Sequence, residues 1–228
     1  MIPLRDENPS STVPTVTRAL IALNALVFVF ELGAGPRLAN VIGGWGLVPQ
    51  RLASAFAGQE IQVVPLLTVF TSMFLHGGWV HLLGNMWYLW IFGDNVEDRL
   101  GHAGFVLFYL ASGAAAAALH VFISPWSPVP TVGASGAIAG VLGAYAVLFP
   151  RARVVTLVPI VFFIQIVSLP ALLVLFLWFA FQFLTGAFSL GGGGGGVAWW
   201  AHIGGFIFGM IIALFARSDR RSHAWVDS

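Results

Sequence analysis

Four polar residues interrupt the apolar stretches of the chain and are of types that could together perform acyl transfer: His81, Asn85, Ser135 and His202. A serine hydroxyl becomes a nucleophile when an adjacent base accepts its proton, and an imidazole suits that work at neutral pH. Ser135 and His202 are therefore predicted to act as nucleophile and general base. The segments around them, 132–149 and 197–216, contain no Asp or Glu. We therefore expect a dyad rather than a triad.

The same residues could also stabilise the negative charge that develops on a carbonyl oxygen under attack. Ser135 opens a predicted helix, where backbone N–H groups lack partners within the helix. His81 and Asn85 are four residues apart and so share one helix face. The Ser135 N–H, the His81 imidazole and the Asn85 amide are therefore predicted to form an oxyanion hole. The sequence has no cysteine and no H-E-x-x-H motif, and we predict neither a metal nor a cofactor.

The composition shows which elements must position these residues. Of the 228 residues, 58% are hydrophobic and 8% are charged, whereas a soluble domain carries about 25% charged residues. A water-soluble globule is excluded, and the net charge of +1 gives no general attraction for nucleic acid. A membrane-spanning helix needs about 20 mostly apolar residues. Six such runs occur, near 17–33, 79–96, 103–123, 133–149, 169–187 and 197–216.

The distribution of arginine predicts how these spans are oriented. Cytoplasmic loops collect positive charge. With the N-terminus inside, eight arginines fall on the cytoplasmic side, and only Arg37 and Arg51 fall outside. Both termini are therefore predicted to be cytoplasmic. Every even-numbered span then begins at the outer face, which places His81, Ser135 and His202 at similar depth.

The predicted organisation is one membrane core over residues 16–217, with short cytoplasmic tails at 1–15 and 218–228. The outer loop, 34–78, is rich in aromatic residues and is expected to be partly buried at the membrane interface. The stretch 154–167 is expected to lie along the membrane surface, and Ser168 to cap the fifth span. The six glycines Gly191–Gly196 are expected to form a flexible outer connection.

Small residues predict which spans are in contact. Gly205 and Gly209 lie on the same stripe of the sixth span as His202. In the fourth span, Gly136 and Gly140 are four residues apart and begin a stripe of small residues beside Ser135. Such stripes let two helices approach closely in a membrane. Packing the two stripes together would bring Ser135 next to His202.

The three motifs together resemble those of the rhomboid intramembrane serine proteases. Gly133-Ala134-Ser135-Gly136 resembles the family's G-x-S-G nucleophile motif. Ala201-His202 with Gly205 and Gly209 resembles A-H-x-x-G-x-x-x-G, and His81 with Asn85 resembles H-x-x-x-N. The resemblance covers Val16 to Arg217. It implies an all-α polytopic membrane protein, a six-transmembrane-helix rhomboid-like bundle with a Ser-His dyad.

The resemblance also implies an endopeptidase that cuts single-pass membrane proteins in or near the bilayer. Its partners would be transmembrane protein substrates and the lipid bilayer, and the oligomeric state is left open. Compactness and the lack of a transit signal favour a bacterial-type plasma membrane, with the site expected toward the outer face. One departure from the family is Ala139, where some members place an aromatic residue that stacks on the histidine. Trp199, Trp200 and Tyr145 are the alternatives for that contact.

Two other functions stay open at this point. The chain could be a catalytically silent rhomboid-like protein that binds partners or remodels membranes, although it retains both Ser135 and His202. It could also be a small proton-coupled transporter that uses its intramembrane histidines. A transporter predicts polar residues spread through the bilayer, whereas these residues are confined to one outer layer.

Overall fold

The computed structural model describes residues 1–58, 63–160, 163–188 and 198–223. The predicted connection Gly191–Gly196 lies outside the described residues. The helices are α1 (Thr15–Gly33), α2 (Leu38–Trp45), α3 (Pro49–Ala57), α4 (Val63–Thr71), α5 (Trp79–Leu100), α6 (His102–Ile123), α7 (Ser135–Leu148), α8 (Ala171–Phe188) and α9 (Trp199–His223). The strands are β1 (Ile2–Asp6), β2 (Arg153–Ile160) and β3 (Phe163–Pro170).

Most of the described chain consists of apolar helices. Among the described residues, α1, α6 and α9 are each long and apolar enough to cross a membrane, and α4 with α5 forms a bent pair that passes the same test. The shorter apolar helices are α7 and α8. Each of the six segments predicted from hydropathy coincides with one of the helices α1, α5, α6, α7, α8 and α9. The prediction of a helical membrane protein is therefore confirmed.

Glycines allow α7 and α9 to pack backbone to backbone. A Cβ atom on Gly205 would collide with the carbonyl oxygen of Gly136, and one on Gly209 would collide with that of Gly140. On another face of α7, a Cβ on Gly140 would collide with the side chain of Ser112 on α6. The contact between the two small-residue stripes is thus present, and it places α7 at the centre of the helices around it.

A three-stranded antiparallel sheet corrects the all-α prediction. β2 lies between β1 and β3 and pairs with both. The segment 154–167 was expected to lie along the membrane surface, and its described residues, 154–160 and 163–167, belong to β2 and β3. Valine and isoleucine are frequent in both strands and favour extended backbone. A search for helix-length apolar runs does not detect such short strands.

The role predicted for Ser168 is wrong for the same reason. Ser168 lies in β3, before α8 begins, and therefore does not cap that helix. Its hydroxyl accepts a hydrogen bond from Nε of Arg153 at 2.9 Å and donates one to the Glu7 carboxylate at 3.0 Å. Ser168 thus ties the hairpin to the residue that follows β1.

The N-terminal residues, which were expected to form a tail, belong to this sheet and anchor it to the helices. The hydroxyl of Tyr145, near the C-terminal end of α7, donates a hydrogen bond to the Asp6 carboxylate at 2.6 Å. The indole N–H of Trp87 on α5 donates one to the Pro3 carbonyl oxygen, also at 2.6 Å. The sheet therefore holds the end of α7 that lies opposite Ser135.

The Asp6 carboxyl is expected to make stability depend on pH. Burial raises the pKa of Asp6 from 3.8 to about 6, and the nearby Asp94 acts in the same direction, while the hydrogen bond from Tyr145 opposes both. The folded protein therefore binds this proton more tightly than the unfolded chain, and stability contributed by Asp6 is lost as the pH rises from about 4 to about 6. In thermal unfolding experiments, Asp6→Asn should gain stability relative to the parent over this pH range. A difference that does not change with pH would contradict the prediction.

Candidate active site

A cavity of about 570 Å³ lies among α5, α6, α7, α8 and α9. All four polar residues singled out from the sequence line it, namely His81, Asn85, Ser135 and His202. Gln182 of α8 lines it too. Residues far apart in the chain thus meet in one place, at the N-terminal ends of α5, α7 and α9.

Ser135 and His202 are joined by a hydrogen bond. The Ser135 Oγ lies 2.7 Å from Nε2 of His202. Ser135 is the first residue of α7, and His202 lies in the first turn of α9. The glycine contacts between these helices hold the two ends side by side. The contact expected from the small-residue stripes is therefore confirmed.

The other ring nitrogen of His202 contacts Gln182. Nδ1 of His202 lies 2.6 Å from the Gln182 Oε1. Because an amide oxygen only accepts hydrogen bonds, Nδ1 carries the proton and Nε2 presents its lone pair to the Ser135 hydroxyl. In this tautomer the imidazole can accept the serine proton. Gln182 was not predicted, because the third residue was expected to be acidic and to lie on one of the two helices of the dyad.

Aromatic rings flank the imidazole although the position one turn after the serine is Ala139. The rings of Trp178 and Trp199 each have their centroids 6.0 Å from that of the imidazole. Trp199 was one of the three alternatives for this contact, whereas Trp178 was not predicted. Trp200 lines the cavity, and Tyr145 lies at the sheet end of α7.

His81 and Asn85 lie beside Gly133, two residues before Ser135. A Cβ atom on Gly133 would lie 2.6 Å from both Cε1 and Nε2 of His81, and 3.5 Å from the Asn85 Nδ2. The Gly77 N–H points at Nδ1 of His81 from 3.4 Å, so Nδ1 accepts and the ring proton lies on Nε2. The structure therefore brings an imidazole N–H and an amide NH₂ to the N-terminus of α7. Backbone N–H groups at such a terminus favour negative charge.

The loop that leads into α7 is fixed by the outer segment 34–78. Leu47 and Thr131 exchange two backbone hydrogen bonds, at 3.0 and 2.7 Å, and the Gly133 N–H donates to the Ser72 carbonyl oxygen at 2.8 Å. Gly133 has a φ of +125°, which favours glycine. Leu47, between α2 and α3, and Ser72, directly after α4, thus contribute to positioning the loop before Ser135.

Glu31 and His76 form a buried support for Asn85, and neither residue was predicted to belong to the site. The Glu31 carboxylate on α1 accepts the backbone N–H of His76, with oxygens at 3.0 and 3.2 Å. The Asn85 Nδ2 lies 3.0 Å from Nε2 of His76, which orients the amide. The signal for Glu31 was available, since a carboxylate within an apolar span is costly and usually has a role.

Removing the Glu31 carboxylate is expected to destabilise the protein. In Glu31→Ala, the buried N–H of His76 loses its acceptor, which costs about 1–3 kcal/mol. Glu31→Gln keeps an oxygen at the same reach and is the matched control. Thermal unfolding in detergent should place the melting temperature of Glu31→Gln between those of the parent and Glu31→Ala. Equal melting temperatures for Glu31→Ala and the parent would contradict this role.

Side chains and backbone groups of this site provide a nucleophile, a base and hydrogen-bond donors. Among the residues that the structure describes, no group of three or more histidine or acidic side chains is arranged to hold a metal ion. The side chains that line the cavity with Ser135 include the histidines His81, His120 and His202 and the amides Asn85 and Gln182.

Comparison with known proteins identifies the family. The model of the Rhomboid domain matches residues 65–219, which is more than half of the chain. The chain belongs to the rhomboid family. The match includes α5, α7, α8 and most of α9, and so contains His81, Asn85, Ser135, Gln182 and His202.

This rhomboid is similar to several curated relatives. It is 34% identical to Rhomboid protein 1, mitochondrial, of Saccharomyces cerevisiae over 108 residues, which cover 44% of this chain and 30% of that protein. It is 34% identical to Rhomboid protease GluP of Bacillus subtilis over 132 residues, covering 58% and 24% of the two chains. It is 29% identical to Presenilin-associated rhomboid-like protein, mitochondrial, of Bos taurus over 214 residues, covering 89% and 48%.

The alignments with these relatives are partial, and the relatives' names bear on the predicted location of this rhomboid. The aligned regions span less than half the length of each of these three relatives. Two of the three are named as mitochondrial, so the predicted bacterial-type plasma membrane is not supported. This rhomboid has candidate membrane-spanning helices and is a membrane protein.

Proposed function

We propose that this rhomboid is a serine endopeptidase that hydrolyses peptide bonds of single-pass membrane proteins in or near the bilayer. The observation that carries the proposal is the 2.7 Å hydrogen bond between the Ser135 Oγ and Nε2 of His202, inside a cavity that also holds His81 and Asn85. The Bacillus subtilis relative, which is named a protease, supports the same activity.

Acylation begins at Ser135. Its Oγ attacks the carbonyl carbon of the substrate peptide bond while its proton passes to Nε2 of His202. The carbonyl π electrons move onto oxygen, where the Ser135 N–H, the His81 Nε2–H and the Asn85 amide stabilise the charge. When the tetrahedral intermediate collapses, the C–N bond breaks and the His202 imidazolium gives its proton to the leaving amine.

Hydrolysis of the acyl-enzyme repeats these steps with water as the nucleophile. His202 accepts a proton from water as the water oxygen attacks the ester carbon, and then returns it to the Ser135 oxygen as the C–O bond breaks. The cavity of about 570 Å³ has room for this water, since one molecule occupies about 30 Å³ in the liquid.

The proposed topology has six spans with both termini cytoplasmic and the site toward the outer face. The arginine distribution supports this orientation. α7 has 14 residues and is therefore about 21 Å long, which is shorter than a hydrocarbon core of about 30 Å. With the sheet at the inner surface, Ser135 then lies below the outer surface, and the cavity connects it to water.

Reconstitution in liposomes tests the proposal. The substrates are fluorescently tagged single-pass segments with Ala and Gly near the outer membrane surface, and the products are separated by gel electrophoresis. The parent should release a tagged fragment, and Ser135→Ala should not. Equal cleavage by both proteins would contradict the role of Ser135. A folded parent that binds these segments without cleaving any of them would support the silent binding protein instead.

A further inference from the structure

We propose that Gln182 is the positioning residue that fixes the orientation and tautomer of His202. This inference rests on the proposed function, because it assigns a role within the same site. Its basis is the 2.6 Å contact between the Gln182 Oε1 and Nδ1 of His202, on the side of the ring opposite Ser135. The three side chains form one continuous chain of hydrogen bonds.

The surroundings of Gln182 are those of a built contact. Gln182 is only 7% exposed, although its neighbours Phe181 and Phe183 are 58% and 48% exposed. Trp178, one turn earlier, shares the inward face of α8 with Gln182 and packs near the same imidazole. An amide within an apolar span is costly unless it has a partner, and here His202 is a partner.

A neutral acceptor suits this position. In a serine triad, an acidic residue orients the histidine and also stabilises the imidazolium that forms. An amide oxygen performs the orienting part without placing a second charge in the apolar interior. Some family members place an aromatic residue at the position of Ala139 on α7. Here the Gln182 amide on α8 provides a contact that orients His202 instead.

Two substitutions separate the acceptor from the volume of the side chain. Gln182→Glu keeps an oxygen acceptor in either protonation state, whereas Gln182→Met has similar length but lacks the amide oxygen. Gln165→Met, on the exposed part of β3, is the matched control. The first readout is the rate of labelling of Ser135 by a fluorophosphonate probe. The second is the ¹⁵N NMR spectrum of histidine-labelled protein in detergent, with the His202 signals assigned from their loss in His202→Ala.

The parent should show a protonated Nδ1 on His202. Gln182→Met should lose this preference and label about 10- to 100-fold more slowly, as expected for loss of a strong hydrogen bond to the base. Gln182→Glu should keep Nδ1 protonated with a shifted resonance and label within about threefold of the parent. Gln165→Met should match the parent in both readouts.

Each alternative result is informative. Unchanged labelling and spectra in Gln182→Met would overturn the inference. If Gln182→Met does not fold, an unshifted Nδ1 resonance in Gln182→Glu would overturn it instead. A Gln182-dependent Nδ1 proton in a folded parent that the probe never labels would support the positioning role while contradicting the proposed protease function.

Discussion

Replacement of His202 by alanine is expected to lower peptide-bond hydrolysis by about a thousandfold or more, because Ser135 loses the base that accepts its proton. The helix itself should tolerate the change, since alanine favours helical backbone. The rate of fragment release from a tagged single-pass substrate in liposomes measures the effect. Hydrolysis at the parent rate would contradict the role assigned to His202.

His102→Ala is the matched control for this substitution. The His102 side chain is 54% exposed, lies at the start of α6, and has its Nδ1 2.6 Å from the Glu97 Oε1. That position is at the opposite end of α5 from the cavity. Its replacement should leave the hydrolysis rate close to that of the parent, so that a large loss in His202→Ala reports the site rather than the removal of a histidine.

Gly133→Ala is expected to reduce labelling of Ser135 by a fluorophosphonate probe by about a hundredfold or more, because it disturbs the oxyanion hole. The added methyl would lie 2.6 Å from the imidazole of His81, and the φ of +125° is strained for alanine. Either the His81 ring or the loop before Ser135 must therefore move.

Gly104→Ala is the control for the glycine substitution. Gly104 lies in α6, and the nearest contact of an added methyl would be an ordinary 3.5 Å approach to the Leu100 side chain. This variant should label at the parent rate. Parent-like labelling of Gly133→Ala would show that the geometry around His81 is not needed for reaction at Ser135.

The sequence contained enough information to predict the helices and the meeting of Ser135 with His202. Apolar runs report helices directly, because the bilayer demands a minimum length. The stripes with Gly136 and Gly205 report close packing, because only glycine lets two backbones approach so closely. Those two signals together place the N-terminal ends of α7 and α9 side by side.

Other features depend on tertiary contacts that no local pattern reveals. Gln182 is a single amide in an apolar helix, and only the packing of α8 against α9 shows that it faces His202. Glu31 likewise gains its role from the backbone of His76, which is 45 residues away in the chain. The β1–β2 pairing joins segments about 150 residues apart, and strand pairing of that kind leaves no periodic signal on either segment.

The most direct test of the central claim is fluorophosphonate labelling of the purified, folded protein in detergent, followed by mass spectrometry of the labelled peptide. The parent is expected to carry the label on Ser135, and both Ser135→Ala and His202→Ala are expected to remain unlabelled. Label on another residue, or equal labelling of the parent and Ser135→Ala, would contradict the assignment of Ser135 as an activated nucleophile.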